Sequence, residues 1–192
     1  MARHSRRSLW TAKIHGSLSS RSNPEILLPK KPYIGRVLGI DPSLRGTGLA
    51  LLNFNADSIV TLEKNFTVRL SQKYTLADCL KTIWQAIHDI VANTPIRHAA
   101  IEQTIYVQNF QTAQILGAAR GAVISAIAIQ NIPVFEYPPL RIKQAIVGYG
   151  RASKEQLAKT VQQHLGGHQI LPSDEADAAG TALCHAFTWR EN

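Results

Sequence analysis

The chain has 192 residues, 45% of them hydrophobic, with a formal net charge of +8 and a pI near 9.8. That length favours one domain, and the apolar share suffices for one sizeable core. No apolar run is long enough to span a bilayer and no signal-peptide core is present. The two cysteines, Cys79 and Cys184, show no C-x-x-C or Cys/His ligand spacing. These observations argue against a membrane protein, a secreted disulfide scaffold and a thiolate metal site. They leave a soluble, cytoplasmic protein with free thiols as the expectation.

The charge is concentrated at one end. Residues 1–36 carry eight Lys and Arg against the single Glu25, whereas the remainder is almost neutral. Residues 1–34 are rich in Arg and Ser and lack apolar periodicity. They read as a flexible basic extension able to attract polyanions, as an organellar transit peptide, or as the product of a misplaced start codon. The domain itself is expected over residues 35–192.

Val37 to Ile40 is a short apolar run ending on Asp41. Pro42-Ser43 and the Gly46-Thr47-Gly48 pair of glycines follow, then the apolar Leu49 to Leu52. The lengths predict a hairpin of strands at 36–41 and 47–53, with the glycines at a tight return. A carboxylate at a strand end inside a sheet is costly unless something positive meets it. Asp41 is therefore a metal ligand, or an Asp-Pro that merely starts a turn; this stretch alone weighs the two equally. A third strand is expected within Ile59–Leu70, where Val60, Leu62, Phe66 and Val68 fall at even spacings.

From Thr75 the period changes to three and four, and Leu76, Leu80, Ile83, Ile87 and Ile90 predict an amphipathic helix ending near Asn93-Thr94-Pro95. Arg97 to Glu102 reads as a short buried strand that again ends on a carboxylate. A strand, helix, strand order implies a right-handed crossover, so this strand should run parallel to the first. Sites of open α/β sheets lie at the carboxyl ends of such strands, so Asp41 and Glu102 are expected to be neighbours. Thr112–Gln130 predicts a helix apolar around most of its surface, with Gly117, Gly121 and Ser125 at four-residue spacing. It suits ordinary packing on a sheet or a dimer seam. Ile132 to Glu136 reads as another strand, with Glu136 structural.

Residues 141–159 collect Arg141, Lys143, Arg151, Lys154 and Lys159 against Glu155 alone, around a Gly148-Tyr149-Gly150 turn. This is either a phosphate-contact strip or a solvated basic face. Ser153 reads as an N-cap for a helix stopping at Gly166. The last helix is expected from Ser173 as N-cap to Trp189. Asp174 and Asp177, three residues apart, lie about 60° apart on its wheel. Acids in a first turn can simply complement the helix dipole, but Ala176, Ala178, Ala179 and Gly180 imply close packing that would bury them. His185 lies too far along the axis to join them as a ligand.

Asp41, Glu102, Asp174 and Asp177 thus share an address. Carboxylates that close repel one another, and divalent cations remove the problem. With no imidazole or thiolate cluster, Mg²⁺ or Mn²⁺ is favoured over Zn²⁺. Two such ions about 4 Å apart can activate water and stabilise a leaving 3′ oxygen. With the basic strip alongside, the substrate class is nucleic acid.

The order of these elements and their motifs resembles the RuvC family of bacterial Holliday junction resolvases, in the ribonuclease H-like superfamily. The resemblance is carried by Gly39-Ile40-Asp41-Pro42, Thr47-Gly48, Ala100-Ile101-Glu102-Gln103, Ala119-Arg120-Gly121, Pro133-Val134-Phe135-Glu136-Tyr137, Lys143-Gln144-Ala145-Ile146-Val147-Gly148 and Asp174-x-x-Asp177-Ala178, from about residue 36 to 189. It implies an α/β fold with a central mixed five-stranded sheet flanked by helices. It also implies a homodimer that binds four-way junction DNA and makes paired symmetric nicks with Mg²⁺, acting after the RuvA–RuvB branch-migration complex. Asp41, Glu102, Asp174 and Asp177 match the family's catalytic and metal-binding acids, and Lys143 and Lys154 match its basic positions. Arg120, Arg141 and Arg151 are placed with them as expected DNA contacts. Ser43 replaces the usual Gly after Asp-Pro. Ile105 stands where the family often has a junction-wedging Phe, with Tyr106, which could stack on a base, next to it.

Overall fold

The structure, a computed structural model, describes residues 31–104, 109–167 and 170–190. Residues 1–30, which hold most of the expected basic extension, lie outside the described residues, as do Ile105 and Tyr106. Ten elements follow in order: β1 (Gly35–Asp41), β2 (Gly46–Phe54), β3 (Val60–Arg69), α1 (Leu76–Asn93), β4 (His98–Glu102), α2 (Phe110–Ala128), β5 (Val134–Tyr137), α3 (Pro139–Val147), α4 (Lys154–His164) and α5 (Ser173–Thr188). The five strands form one mixed sheet in the order β3-β2-β1-β4-β5. β1, β2 and β3 form an antiparallel meander, while β4 and β5 join parallel to β1 after crossovers through α1 and α2.

Local chemistry sets the boundaries. In the β1–β2 turn the buried Thr47 hydroxyl donates to the Ser43 carbonyl, and the Ser43 amide donates back to Thr47 Oγ1 at 3.3 Å. Thr75 opens α1 with a capping box to Asp78, satisfying helix-start donors from both sides. Two features depart from the sequence reading. Residues 139–147, expected only as a basic strip, form α3. Pro139 sits in the first turn, where its missing N–H leaves no bond unmade, and Ile142 and Ile146, one turn apart, are buried. Gly148 closes α3 in the left-handed region at φ 82°. Ser173, expected as an N-cap, is instead the first residue of α5. Pro172 takes the cap position and offers no side-chain cap.

The sheet is covered on both faces. Residues alternate along each strand, so Val37, Ala50, Leu52 and Ala100 meet α3, α4 and α5 on one side. Leu38, Ile40, Leu49, Leu51, Ala99 and Ile101 meet α1 and α2 on the other. Cys79 and Cys184 are buried free thiols. Among the described residues no helix is long and apolar enough to cross a membrane.

The expected division between residues 34 and 35 falls inside packed structure. Tyr33 is buried, with its hydroxyl 3.0 Å from His98 Nδ1. His98 Nδ1 lies 2.9 Å from His185 Nε2, and Tyr137 Oη lies 2.7 Å from His185 Nδ1. Burial pushes the His185 imidazole down to about 3, so it stays neutral inside this cluster. The imidazole is thus a member of the buried core.

At two glycines α5 lies on the strand backbone without an intervening side chain. A Cβ placed on Gly39 would sit 2.0 Å from the Ala178 carbonyl oxygen. One placed on Gly48 would sit 2.0 Å from the Asp174 carbonyl oxygen. Backbone cannot rotate out of the way, so any side chain at either position must lift the helix. Gly48→Ala is expected to destabilise the fold by about 3 kcal/mol, the upper end for overpacking, in denaturant titrations. Gly117→Ala, with nothing within 4 Å of its Cβ, is expected to be neutral or stabilising, as Ala favours helix by about 1 kcal/mol over Gly. Equal losses would contradict the close-approach argument.

Candidate active site

The register brings two strand-end acids together. Ile40 pairs with Ile101 across the parallel β1–β4 ladder, and each is followed by an acid, Asp41 and Glu102. Asp41 shares the parity of Val37 and Gly39, and Glu102 that of Ala100, so both carboxylates project to the α5 side of the sheet. Both are half-buried.

The first turn of α5 closes the site from above. Successive helical residues are offset by about 100°, and the acids of this turn fan out across the sheet. Glu175 turns toward β3, where its carboxylate accepts hydrogen bonds from Asn65 Nδ2 and from Thr67 Oγ1 at 3.1 Å. Asp174 lies over β2, with Oδ2 3.3 Å from where a Cβ on Gly46 would stand. Asp177 points over β1 and β4 into a cleft. That cleft, about 330 Å³, is lined by Asp41, Glu102, Pro139, Ile142, Lys143, Lys154, Leu157 and Asp177.

The electrostatics follow from crowding. Burial first, then the charges of Asp177 and Asp174, push Asp41 up to about 6. Burial, then Asp41 and Asp177, push Glu102 up to about 7. Lys154 Nζ donates to Asp177 Oδ2 at 3.2 Å, and the same carboxylate raises the lysine above its ordinary value. The Lys154 side chain is 72% exposed while that of Asp177 is 13% exposed. The lysine can therefore swing away, and the acid cannot. Among the described residues no three His, Cys, Asp or Glu side chains are already gathered as ion ligands.

A family model described as "Crossover junction endodeoxyribonuclease RuvC" matches residues 37–185. The chain belongs to the RuvC family. It is 40% identical over 151 residues to the RuvC of Cupriavidus metallidurans, covering 79% of this chain and 83% of that protein. It is 39% identical over 153 residues to the RuvC of Finegoldia magna, covering 79% and 93%. Among solved structures it is similar to T. thermophilus RuvC in complex with Holliday junction substrate. That match has a TM-score of 0.75 and 30% identity, and covers 80% of this chain and 93% of that one. The yeast mitochondrial Holliday junction resolvase Ydc2, at 12% identity and a TM-score of 0.57, shares the fold alone. The sheet and its flanking helices are those of the ribonuclease H-like RuvC fold.

Within this RuvC-family chain, the residues expected from sequence fare differently. Asp41, Glu102 and Asp177 share the cleft with Lys143 and Lys154. Asp174 is not in its lining, although its charge reaches Asp41. Arg141 and Arg151 are exposed and do not line the cleft. Arg120 is engaged by Glu136 of β5. Glu136 has the parity of Val134, on the α1–α2 side of the sheet, so this pair lies away from the cleft. Tyr106 lies outside the described residues. Sequence reasoning missed Glu175, buried at 6% exposure. Its signal was present in its position 100° from Asp174 on the wheel, but nothing in the sequence names Asn65 and Thr67 as its partners.

The raised carboxyls make a stability prediction for this RuvC-family fold. Asp41 and Glu102 titrate near 6 and 7 when folded but near 4 when unfolded. The folded state therefore holds more protons between these values, and its stability falls as pH rises through that window. Without divalent cations, the melting temperature should drop between pH 5 and pH 8, and Asp41→Asn should flatten the drop. A midpoint that climbs with pH, or is indifferent to Asp41→Asn, would contradict the crowding.

Proposed function

We propose that this chain is a structure-specific DNA endonuclease that resolves four-way junctions by paired symmetric nicks. Asp41, Glu102, Asp174 and Asp177 would be its catalytic acids and would hold Mg²⁺, for which Mn²⁺ can substitute. One observation carries the reading: Asp41 and Glu102 stand side by side on parallel strands beneath Asp177, in a cleft that also holds Lys143 and Lys154. Membership of the RuvC family supports the junction as the substrate.

The donor set suits a hard divalent cation. All four acids offer only carboxylate oxygens, the ligands Mg²⁺ prefers. The burial and mutual repulsion that raise Asp41 and Glu102 are the imbalance that positive charge relieves. When bound, such ions would supply polarisation of the phosphodiester, an acidified water and stabilisation of the leaving oxygen. The chain's residues do the rest. The floor of β1 and β4 fixes two carboxylates, and α5 brings Asp177 down onto them with Asp174 alongside over β2. Lys143 is held in the cleft beside Glu102, where it can meet a phosphate oxygen. Lys154 neutralises Asp177 in the resting site and is exposed enough to turn to the DNA backbone. Pro139, Ile142 and Leu157 form an apolar wall that limits water.

Paired nicks require two copies. Helix α2 exposes Phe110, Ile115 and Ile129, and Gly117 and Gly121 have open space beyond their Cα atoms. This face would serve a homodimer. Arg141 and Arg151, exposed beside the cleft, would follow the phosphate backbone. The succession to RuvA–RuvB and a cytoplasmic setting belong to the same proposal and rest on family membership.

The test is a Mg²⁺-dependent nicking assay on a synthetic four-way junction, with linear duplex as control. Asp177→Asn is expected to lower junction nicking by at least roughly 100-fold, as loss of a key electrostatic group does, while junction binding persists. Parental rates in the variant would overturn the site. Nicking of linear duplex as fast as the junction would overturn the substrate.

A further inference from the structure

Three acids fall within the first five residues of α5, and the proposed reaction uses Asp174 and Asp177. Glu175 is the most deeply buried of the three. It faces away from the cleft and is held by two donors of the edge strand β3, Asn65 Nδ2 and Thr67 Oγ1. Those donors are not incidentally placed. In the ladder Ala50 pairs with Asn65 and Gly48 with Thr67, so both stand beside the glycine floor on which the Asp174 carbonyl rests. α5 also starts without a side-chain cap, because Pro172 holds the cap position. Local capping therefore does not orient its first turn. The glycine floor sets the height of the helix above the sheet, the buried residues from Ala178 to Ala186 hold its body, and the orientation of its N-terminal end falls to the Glu175 contacts.

We propose that Glu175 is a positioning residue: its bonds to Asn65 and Thr67 fix the roll of α5 and so the directions of Asp174 and Asp177. The proposal rests on the endonuclease reading for its kinetic consequence. Side chains end about 5–6 Å from a helix axis, so a roll of roughly 20° carries the Asp177 carboxylate about 2 Å. A displacement of about 1 Å can cost 10²-fold in rate.

The experiment inverts the hydrogen bond. Asn65→Asp sets two carboxylates against each other. It should lower kcat on junctions by roughly 10- to 100-fold with KM within twofold, and weaken Mg²⁺ binding severalfold by calorimetry. Adding Glu175→Gln to Asn65→Asp restores the contact, the Gln amide now donating to the carboxylate introduced at position 65. It should return kcat and Mg²⁺ affinity to within about threefold of the parent. Glu175→Gln alone can still accept from Asn65 and can donate to the Thr67 hydroxyl, so it should resemble the double variant. If Asn65→Asp does not fold, Thr67→Val removes one donor at constant volume and should give a smaller loss in the same quantities.

A double variant no better than Asn65→Asp would overturn the proposal. So would Glu175→Gln as inactive as Asp177→Asn, since the charge rather than the placement would then matter. A melting temperature lowered with kcat and Mg²⁺ affinity intact would reduce Glu175 to a stabilising residue and overturn it as well. A parent that fails to nick junctions would count against the endonuclease reading, while Mg²⁺ calorimetry across the series would still read the clamp.

Discussion

The site depends on how closely α5 can lie on the sheet. Helices normally stand off a sheet by the thickness of the side chains between them, about 10 Å. Here Gly39 and Gly48 remove that layer at two points on neighbouring strands, and the helix carbonyls of Ala178 and Asp174 fill the space their side chains would take. The alanines along α5 complete the approach from the other side, as Ala178, Ala179 and Ala182 are fully buried. A helix held at ordinary distance would leave Asp177 too far from Asp41 and Glu102 to share their cleft. Backbone proximity is therefore the first requirement of the chemistry.

That approach creates an electrostatic problem which the site keeps. Three carboxylates, Asp41, Glu102 and Asp177, meet in partial burial with the charge of Asp174 reaching Asp41, opposed by Lys154 at Asp177 and by Lys143 in the cleft wall. Burial, and after it the repulsion, raises the Asp41 and Glu102 carboxyls. A protein selected only for stability would replace one of these acids. Keeping all four makes sense if cations offset the repulsion, as the proposed function requires, and such a set of oxygens would suit a hard divalent cation. The lysines have a different task. Their charge suits phosphate, and the exposure of Lys154 leaves it free to change partners.

Much of this was legible in the sequence because it depends on local periods. The meander, the crossover helix and the parallel β4 follow from alternation at Val60–Val68, the three-and-four spacing from Leu76 to Ile90, and the chirality of strand-helix-strand connections. Asp41 and Glu102 could be placed side by side because each ends a strand, and strand ends on a parallel pair share an edge. α3 was not legible. Two prolines and interspersed cations masked a short helix whose buried residues are Ile142 and Ile146 alone. The role of Arg120 was hidden because its partner Glu136 lies sixteen residues on, across a turn. The clamp on Glu175 was hidden for the same reason on a larger scale, its partners being more than a hundred residues away. Tyr33, assigned by composition to the extension, belongs to the core through contacts with His98 and Trp189 that no local pattern announces.

Close packing of α5 brings Asp177 over Asp41 and Glu102, and the proposal is that these acids, with Asp174 beside them, hold a cation. Anomalous diffraction from crystals equilibrated with Mn²⁺ addresses it most directly. The account predicts anomalous density among those four carboxylates, with Lys154 turned away from Asp177. Absence of density there at millimolar Mn²⁺, or density held by other residues while Lys154 stays on Asp177, would contradict it.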